Sequence, residues 1–397
     1  MKKLFYSVLT TLLFLMAGVS AHADDWVGTW ATAPEFTGPG DMPQHAVLTD
    51  NAIRQIVHVS IGGDMLRLQL SNEFSREPVE IRSIYIADTQ DSTAIDVKSV
   101  RYLTFNGKRN VTIEGGKALF SDELRYALKP LQRLTITINY GQTPQNATSH
   151  RGSRTTSYIM KGESKPKKAF VVEEALDHWY NIAAIDVKAD HPTCWAVIGN
   201  SITDGRGTTT NLQNRWTDVC AEAMDGKVSI LNLGIGGNCV LRGGLSEPAL
   251  KRFDRDIMGQ RGTTGIVIYE GINDIGGSRS VEKTEKELIE AYELFIGKAR
   301  AAGLKVVGAT ITPIGNTMYW SHYHEALRQT INEWIRTSGK FDAVIDFDKV
   351  LSDPQRPTWM RADFQYDWLH PNAAGYKAMG LKAAEVLSDK SLVLSDK

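Results

Sequence analysis

Apolar and polar residues alternate one by one through much of the first half of the chain, and gather into short apolar runs in the second. Val57-His58-Val59-Ser60-Ile61 and Leu66-Arg67-Leu68-Gln69-Leu70 take turns residue by residue. Val79-Glu80-Ile81, Ile84-Tyr85-Ile86 and Leu134-Thr135-Ile136-Thr137-Ile138 repeat the theme. A period of two puts alternate side chains on opposite faces of a strand. The break at Gly62-Gly63-Asp64 reads as a hairpin turn. Short strands with turn residues between them, and no long helical pattern, predict a β-sandwich from Trp26 to about Asp186. Within it, Tyr140 to Lys168 is polar and rich in Gly, Ser, Thr, Pro and Lys, and reads as a long loop lying over a neighbouring surface.

From about Asp190 the period changes. Trp195 to Gly199, Val228 to Leu233, Gly265 to Tyr269, Lys305 to Ala309 and Ala343 to Phe347 are short apolar runs. Segments of helical period separate them: Arg215 to Met224, Val281 to Ala302 and Tyr323 to Thr337, with Asn372 to Leu387 last. Buried strands alternating with helices predict a parallel sheet covered on both faces. Such sheets place ligands beyond the carboxyl ends of their strands.

The ends of the chain belong to neither pattern. Lys2 and Lys3 precede an almost wholly apolar stretch from Leu4 to Val19, and Ala21-His22-Ala23 supplies a small-x-small cleavage site. Residues 1–23 are therefore expected to be a signal peptide, placing the protein in the periplasm or outside the cell. The expected organisation continues with a β-sandwich domain over 24–188, an α/β domain over 189–390 and a polar tail at 391–397. No segment after the signal is apolar over the roughly 18 residues that a membrane helix needs.

Composition adds mainly exclusions. Of 397 residues, 42% are apolar and 23% charged, and the formal net charge is −1. That balance gives no electrostatic reason to expect nucleic acid or an anionic membrane as partner. The three cysteines, Cys194, Cys220 and Cys239, stand too far apart for a zinc framework and leave at least one thiol unpaired. They read as small core residues, with one disulfide open. No metal or cofactor is expected.

Unusual polar clusters sit where the strands of the second half end. Gly199-Asn200-Ser201 follows the first apolar run, Gly234-Ile235-Gly236-Gly237-Asn238 the second, and Glu270-Gly271-Ile272-Asn273-Asp274 the third. Asp367-Trp368-Leu369-His370-Pro371 precedes the last helical segment, which Pro371 is placed to start. Acyl transfer needs a nucleophile, a base and donors for an oxyanion. Ser201 is the candidate nucleophile, His370 the base and Asp367 the group that fixes the imidazole tautomer. The N–H groups of Ser201 and Gly237 and the side-chain amide of Asn273 are the candidate oxyanion donors. The nucleophile elbow Gly-x-Ser-x-Gly is not present, because Thr203 stands two residues after Ser201.

Together these four clusters, in this order, resemble the four blocks of the SGNH hydrolases, also called the GDSL esterase and lipase family. The resemblance covers roughly Cys194 to Leu387. It implies a flavodoxin-like three-layer fold, a Ser-His-Asp triad, no cofactor and hydrolysis of esters. One position departs: the residue before the serine is usually aspartate in that family and is Asn200 here, which keeps the size and removes the charge. Trp26-Val27-Gly28-Thr29-Trp30 with its β-domain is similar to bacterial members carrying an accessory β-domain, several of which deacetylate glycans.

The sequence thus predicts an exported serine esterase acting on short acyl esters, acetyl in the first place, on carbohydrates. Two alternatives stand beside it: a broad lipase or aryl esterase, and an inactive glycan-binding protein with Asn200 as the disabling change. His322 and His324 read as rim residues, since two histidines two apart on a helix do not share a face. Arg151 and Arg154 read as solvated or as contacts to a polar substrate. Trp320, Trp359 and Trp368 read as rim packing or as a sugar-stacking platform.

Overall fold

The computed structural model describes residues 26–190 and 192–392. The expected signal peptide and the end of the polar tail lie outside them.

Antiparallel sheets make up the first half. Among the described residues one sheet has the order Trp26–Ala31, Ile182–Lys188, Gly63–Ser71, Leu124–Leu128, with Ala118–Phe120 also on Gly63–Ser71. A larger one runs Glu174–Leu176, Ser157–Met160, Ala52–His58, Arg133–Tyr140, Val79–Asp91, Ala94–Ile95. The alternation seen in the sequence is real: along Gly63–Ser71 the residues Leu66, Leu68 and Leu70 are buried between less buried neighbours. The hairpin expected at Gly62-Gly63 is not there. Val57 pairs with Leu134 in the larger sheet, whereas Leu66 pairs with Val187 and Leu124 in the other. The glycines carry the chain from one sheet to the next, because alternation fixes which face is buried and says nothing about which strand lies alongside.

The expected loop from Tyr140 to Lys168 contains two strands, Thr148–His150 and Ser157–Met160. Thr148–His150 pairs with Glu35–Phe36 and Trp179–Tyr180 in a small separate sheet. The turn that follows it does lie over a neighbour, the start of the second half.

That second half is built on a parallel sheet of the strands Cys194–Gly199, Ser229–Gly234, Gly265–Tyr269, Lys305–Ala309 and Ala343–Ile345. Their spatial order is second, first, third, fourth, fifth, a doubly wound α/β arrangement with a switch point beside the first strand. The helices Trp216–Ala223, Val281–Ala301, His322–Thr337 and Ala373–Leu387 fall within a residue or two of the expected segments. The fifth run is shorter than expected, since Phe347 opens the helix Phe347–Leu351. One continuous apolar cluster joins the halves, from Val27 and Trp30 through Leu231 and Val197 to Leu387. No helix among the described residues is long and apolar enough to cross a membrane.

Candidate active site

Register brings three strand ends together. Gly199 pairs with Gly234 on one side and Tyr269 on the other. The residues just beyond them, Ser201, Gly237 and Asn273, therefore leave the sheet at one edge. Ser201 opens a four-residue helical turn, Ser201–Asp204. The Asn200 side chain caps that turn by accepting the Ile202 N–H at 3.0 Å, and Gly205 closes it. As the first helical residue, Ser201 keeps its own N–H out of the helical ladder.

His370 arrives from the far end of the chain. Its Nε2 lies 2.8 Å from the Ser201 hydroxyl, and its Nδ1 lies 2.9 Å from both carboxylate oxygens of Asp367. An ionised carboxylate only accepts, so Nδ1 carries the hydrogen and Nε2 is left to take the serine proton. Asp367 also accepts the backbone N–H groups of His370 at 2.8 Å and Leu369 at 3.2 Å. The tight turn that allows this holds Trp368 at a φ of 67°, a left-handed conformation uncommon for so large a residue. The expectation that Pro371 starts the last helix is corrected: Asn372 caps it by accepting from Ala374 and Gly375. Pro371 instead bridges Gln365.

Ser201 and His370 are each 7% exposed. Burial lowers the His370 pKa below the usual imidazole value, and the nearby Arg206 and Arg154 push in the same direction against the pull of Asp367. Burial tends to raise Asp367, but the N–H groups and ring of His370 prevail and hold it below the usual carboxylate range. The resting pair is thus a neutral imidazole beside an ionised carboxylate.

The candidate oxyanion donors are held by residues that the sequence does not single out. Asn273 uses one amide hydrogen on the Asn238 carbonyl at 2.7 Å, leaving the other for a ligand. Its carbonyl oxygen accepts from the Tyr319 hydroxyl at 2.8 Å, which fixes which way the amide faces. Gly237 sits at a φ of 65°, and no protein acceptor takes its N–H among the described residues. The fully buried Arg252 ties the strand ends together, donating to the carbonyls of Gly199 at 3.0 Å and Leu233 at 2.8 Å and to the Asn238 side chain at 2.9 Å. Nothing in the stretch Ala249-Leu250-Lys251-Arg252-Phe253 sets this arginine apart from the lysine beside it. Asp274 accepts N–H bonds from Val240 and Leu241, although burial pushes its pKa up to about 6.

Behind Ser201 lies Glu270, buried at 2% exposure. Neither of its carboxyl oxygens has a well-formed partner among the described residues. Burial raises its pKa well above the ordinary carboxylate value, the Arg252 charge opposing and Asp274 adding to the rise. The side chain of Asn200 and the N–H of Gly271 are polar groups that face it. This gives Asn200 a physical reason: an aspartate there would put a second carboxylate into the same dry space.

The remaining candidates fall elsewhere. His324 bonds the carbonyls of Tyr319 and Ser278, and His322 packs edge-on against Trp320. Trp359 and Trp368 pack edge to face at 5.4 Å, apart from the Trp320–His322 pair. Arg151 and Arg154 are both engaged, Arg151 with Glu35 and Ser246 and Arg154 with Asp204. The three cysteines are free and buried, and burial pushes each thiol to about 12. An open cleft of about 840 Å³ runs from Gly237 and Asn273 past Leu241 and Tyr319 to a charged rim of Arg242 and Lys283.

Residues 197–378 match the GDSL-like lipase/acylhydrolase family. This part of the chain is similar to that family, the SGNH hydrolases, and the likeness supports hydrolysis of esters. Among solved structures it is similar to a member of the lipolytic G-D-S-L family from Veillonella parvula DSM 2008, with 22% identity over 50% of this chain and 99% of that one at a TM-score of 0.40. It is also similar to a GDSL-like lipase from Bacteroides thetaiotaomicron VPI-5482, with 18% identity over 49% of this chain and 86% of that one at a TM-score of 0.38. No curated protein matches the chain.

Proposed function

We propose that the chain is an exported serine esterase that removes short acyl groups, acetyl in the first place, from carbohydrate esters. The observation that carries the reading is the unbroken line from Ser201 Oγ through the His370 ring to Asp367. In this reading Ser201 attacks the ester carbonyl while His370 Nε2 takes the hydroxyl proton. The oxyanion forms against the N–H groups of Ser201 and Gly237 and the free amide hydrogen of Asn273. His370 then returns the proton to the departing alcohol, leaving an acyl group on Ser201. Water repeats the sequence and frees the acid. Asp367 stabilises the imidazolium at each stage without itself taking the proton.

The substrate class rests on the cleft beside the donors. Its rim carries Arg242, Arg279, Lys283 and Glu287, a poor lining for a long alkyl chain and a good one for a hydroxyl-rich alcohol. The antiparallel sheets of residues 24–188 are read as a sandwich-like accessory domain, residues 189–390 as the hydrolase, and residues 1–23 as the leader that exports both. The test is hydrolysis of a p-nitrophenyl ester series from acetyl to long acyl by the wild type and by Ser201→Ala. Turnover that falls with chain length and disappears in the variant supports the reading. Preference for long chains would favour a lipase, and an unchanged rate in Ser201→Ala would overturn the mechanism.

A further inference from the structure

The turn that carries Ser201 ends on Asp204, which is 2% exposed. A carboxylate in such a place is tolerated only when it is fully paired. Both of its partners come from the first half of the chain. His150 Nε2 lies 2.9 Å from one oxygen, and Arg154 Nη2 lies 2.8 Å from the other. The backbone between them comes equally close: a Cβ added to Gly152 would fall inside the Asp204 carboxylate, so only glycine permits this approach.

His150 makes the grip a charged one. Its Nδ1 faces the Ala33 carbonyl at 2.9 Å and its Nε2 faces Asp204. Both partners only accept, so both ring nitrogens carry hydrogen and the ring is an imidazolium. Burial opposes that charge, yet Asp204 and Glu35 together raise the His150 pKa. The surroundings are anchored on all sides. Arg151 donates to Glu35, the Trp179 ring stacks on His150 at 5.8 Å, and Arg215 donates to the Ser153 and Asp204 carbonyls. Asp218 and His58 line the same small cavity.

We propose that His150 and Arg154 are positioning residues for ester hydrolysis: by holding Asp204 from the antiparallel half, they set Ser201 within reach of His370. The proposal rests on the serine-esterase reading. Four residues span the distance from the nucleophile to the gripped carboxylate, and they form a single hydrogen-bonded turn, Gly205 N–H to the Ser201 carbonyl at 3.0 Å. A shift of Asp204 is therefore a shift of Ser201. Arg154 has a second effect, because its charge helps keep His370 neutral at rest.

The pH sense follows from the two partners. The His150 contribution is fully present below its ordinary value of 6.5 and is lost as pH rises through its raised folded value. The Asp204 contribution is fully present above 3.8 and is lost as pH falls through its lowered folded value. The grip holds between those limits, so turnover has an alkaline limb set by His150.

The experiment compares the full chain with His150→Gln, Asp204→Asn, Arg154→Lys and Arg154→Met. Turnover is expressed per serine labelled by a fluorophosphonate carried to completion, so slowly reacting folded molecules are counted and unfolded ones are not. We expect kcat to fall about 10- to 100-fold in His150→Gln, Asp204→Asn and Arg154→Met. KM should stay within about twofold, Arg154→Lys should recover most of the loss, and the alkaline limb should vanish in His150→Gln. Tyr85→Phe, which removes a buried bond to Arg54 in the larger sheet, serves as the control that keeps kcat per reactive serine. Unchanged kcat per reactive serine, with only the melting temperature lowered, would overturn the proposal. If His150→Gln yields no folded protein, the Lys and Met variants at the partly exposed Arg154 decide by the same criterion. A wild type that the reagent does not label, or a Ser201→Ala that still turns over, would instead sink the esterase reading beneath it.

Discussion

The two halves of the molecule use strands in different ways. In the parallel sheet every strand runs in one direction, so all the carboxyl ends meet at a single edge. Ser201, Gly237 and Asn273, distant in sequence, become neighbours because Gly199, Gly234 and Tyr269 lie side by side. In the antiparallel sheets consecutive strands end at opposite edges, and no edge collects them. That half reaches the site through one short strand, Thr148–His150, and the turn behind it. A residue's position along a parallel strand therefore says much about its role, whereas the same position along an antiparallel strand says only whether it is buried.

This contrast can be pressed by mutation, and the effects should grade from the parallel sheet's edge outward. The largest is expected for His370→Ala, which leaves Ser201 without a base; kcat for a p-nitrophenyl ester should fall about 10⁴- to 10⁶-fold. Asn273→Ala removes one of the proposed oxyanion donors and should cost about 10²- to 10³-fold in kcat with little change in KM. Tyr319→Phe leaves the donor but frees its orientation. The loss of one hydrogen bond near 1 kcal/mol predicts about a fivefold fall in kcat. Smaller still is the effect of Arg206→Gln, read in the pH profile. In the proposed mechanism neutral His370 is the base, so kcat/KM should fall on acidification with a midpoint below 6.5, and removing the Arg206 charge should move that midpoint upward. At the far end, Ile136→Ala in the larger antiparallel sheet should cost about 2–5 kcal/mol of stability by chemical denaturation. Its kcat per folded molecule should stay at the wild-type value, and a fall in kcat there would erase the distinction between the halves.

The same contrast accounts for what could be read from the sequence. Strands of the parallel sheet are buried on both faces, so they appear as short, mostly apolar runs whose limits the structure reproduces to within a few residues. The polar residues just past them had to be explained by chemistry, and Ser201 and His370 indeed meet. Pairing in the antiparallel half was not legible: the glycines at 62 and 63 look the same whether they close a hairpin or pass the chain between sheets. Residues that act through other residues are not legible either. Tyr319 orients Asn273, Arg252 ties two strand ends to the Asn238 side chain and His150 holds Asp204, and each signals only through partners distant in sequence. Arg151 and Arg154 stand out in the sequence as loop cations, but their engagement with Glu35 and Asp204 depends on a fold that composition does not encode.

One pairing in the antiparallel half bears on how the chain comes to fold. Trp26–Ala31, the first described strand, lies against Ile182–Lys188, with Trp26 opposite Lys188 and Ala31 opposite Ala184. At a synthesis rate of about 5–20 residues per second, the apolar first strand waits on the order of 10–30 s for its partner to be made. The sheet can close only when nearly the whole antiparallel half has emerged, just ahead of the Ser201 turn. Ribosome-stalled chains ending well short of residue 182 should be open to protease throughout, and those that have exposed residue 188 should become resistant together.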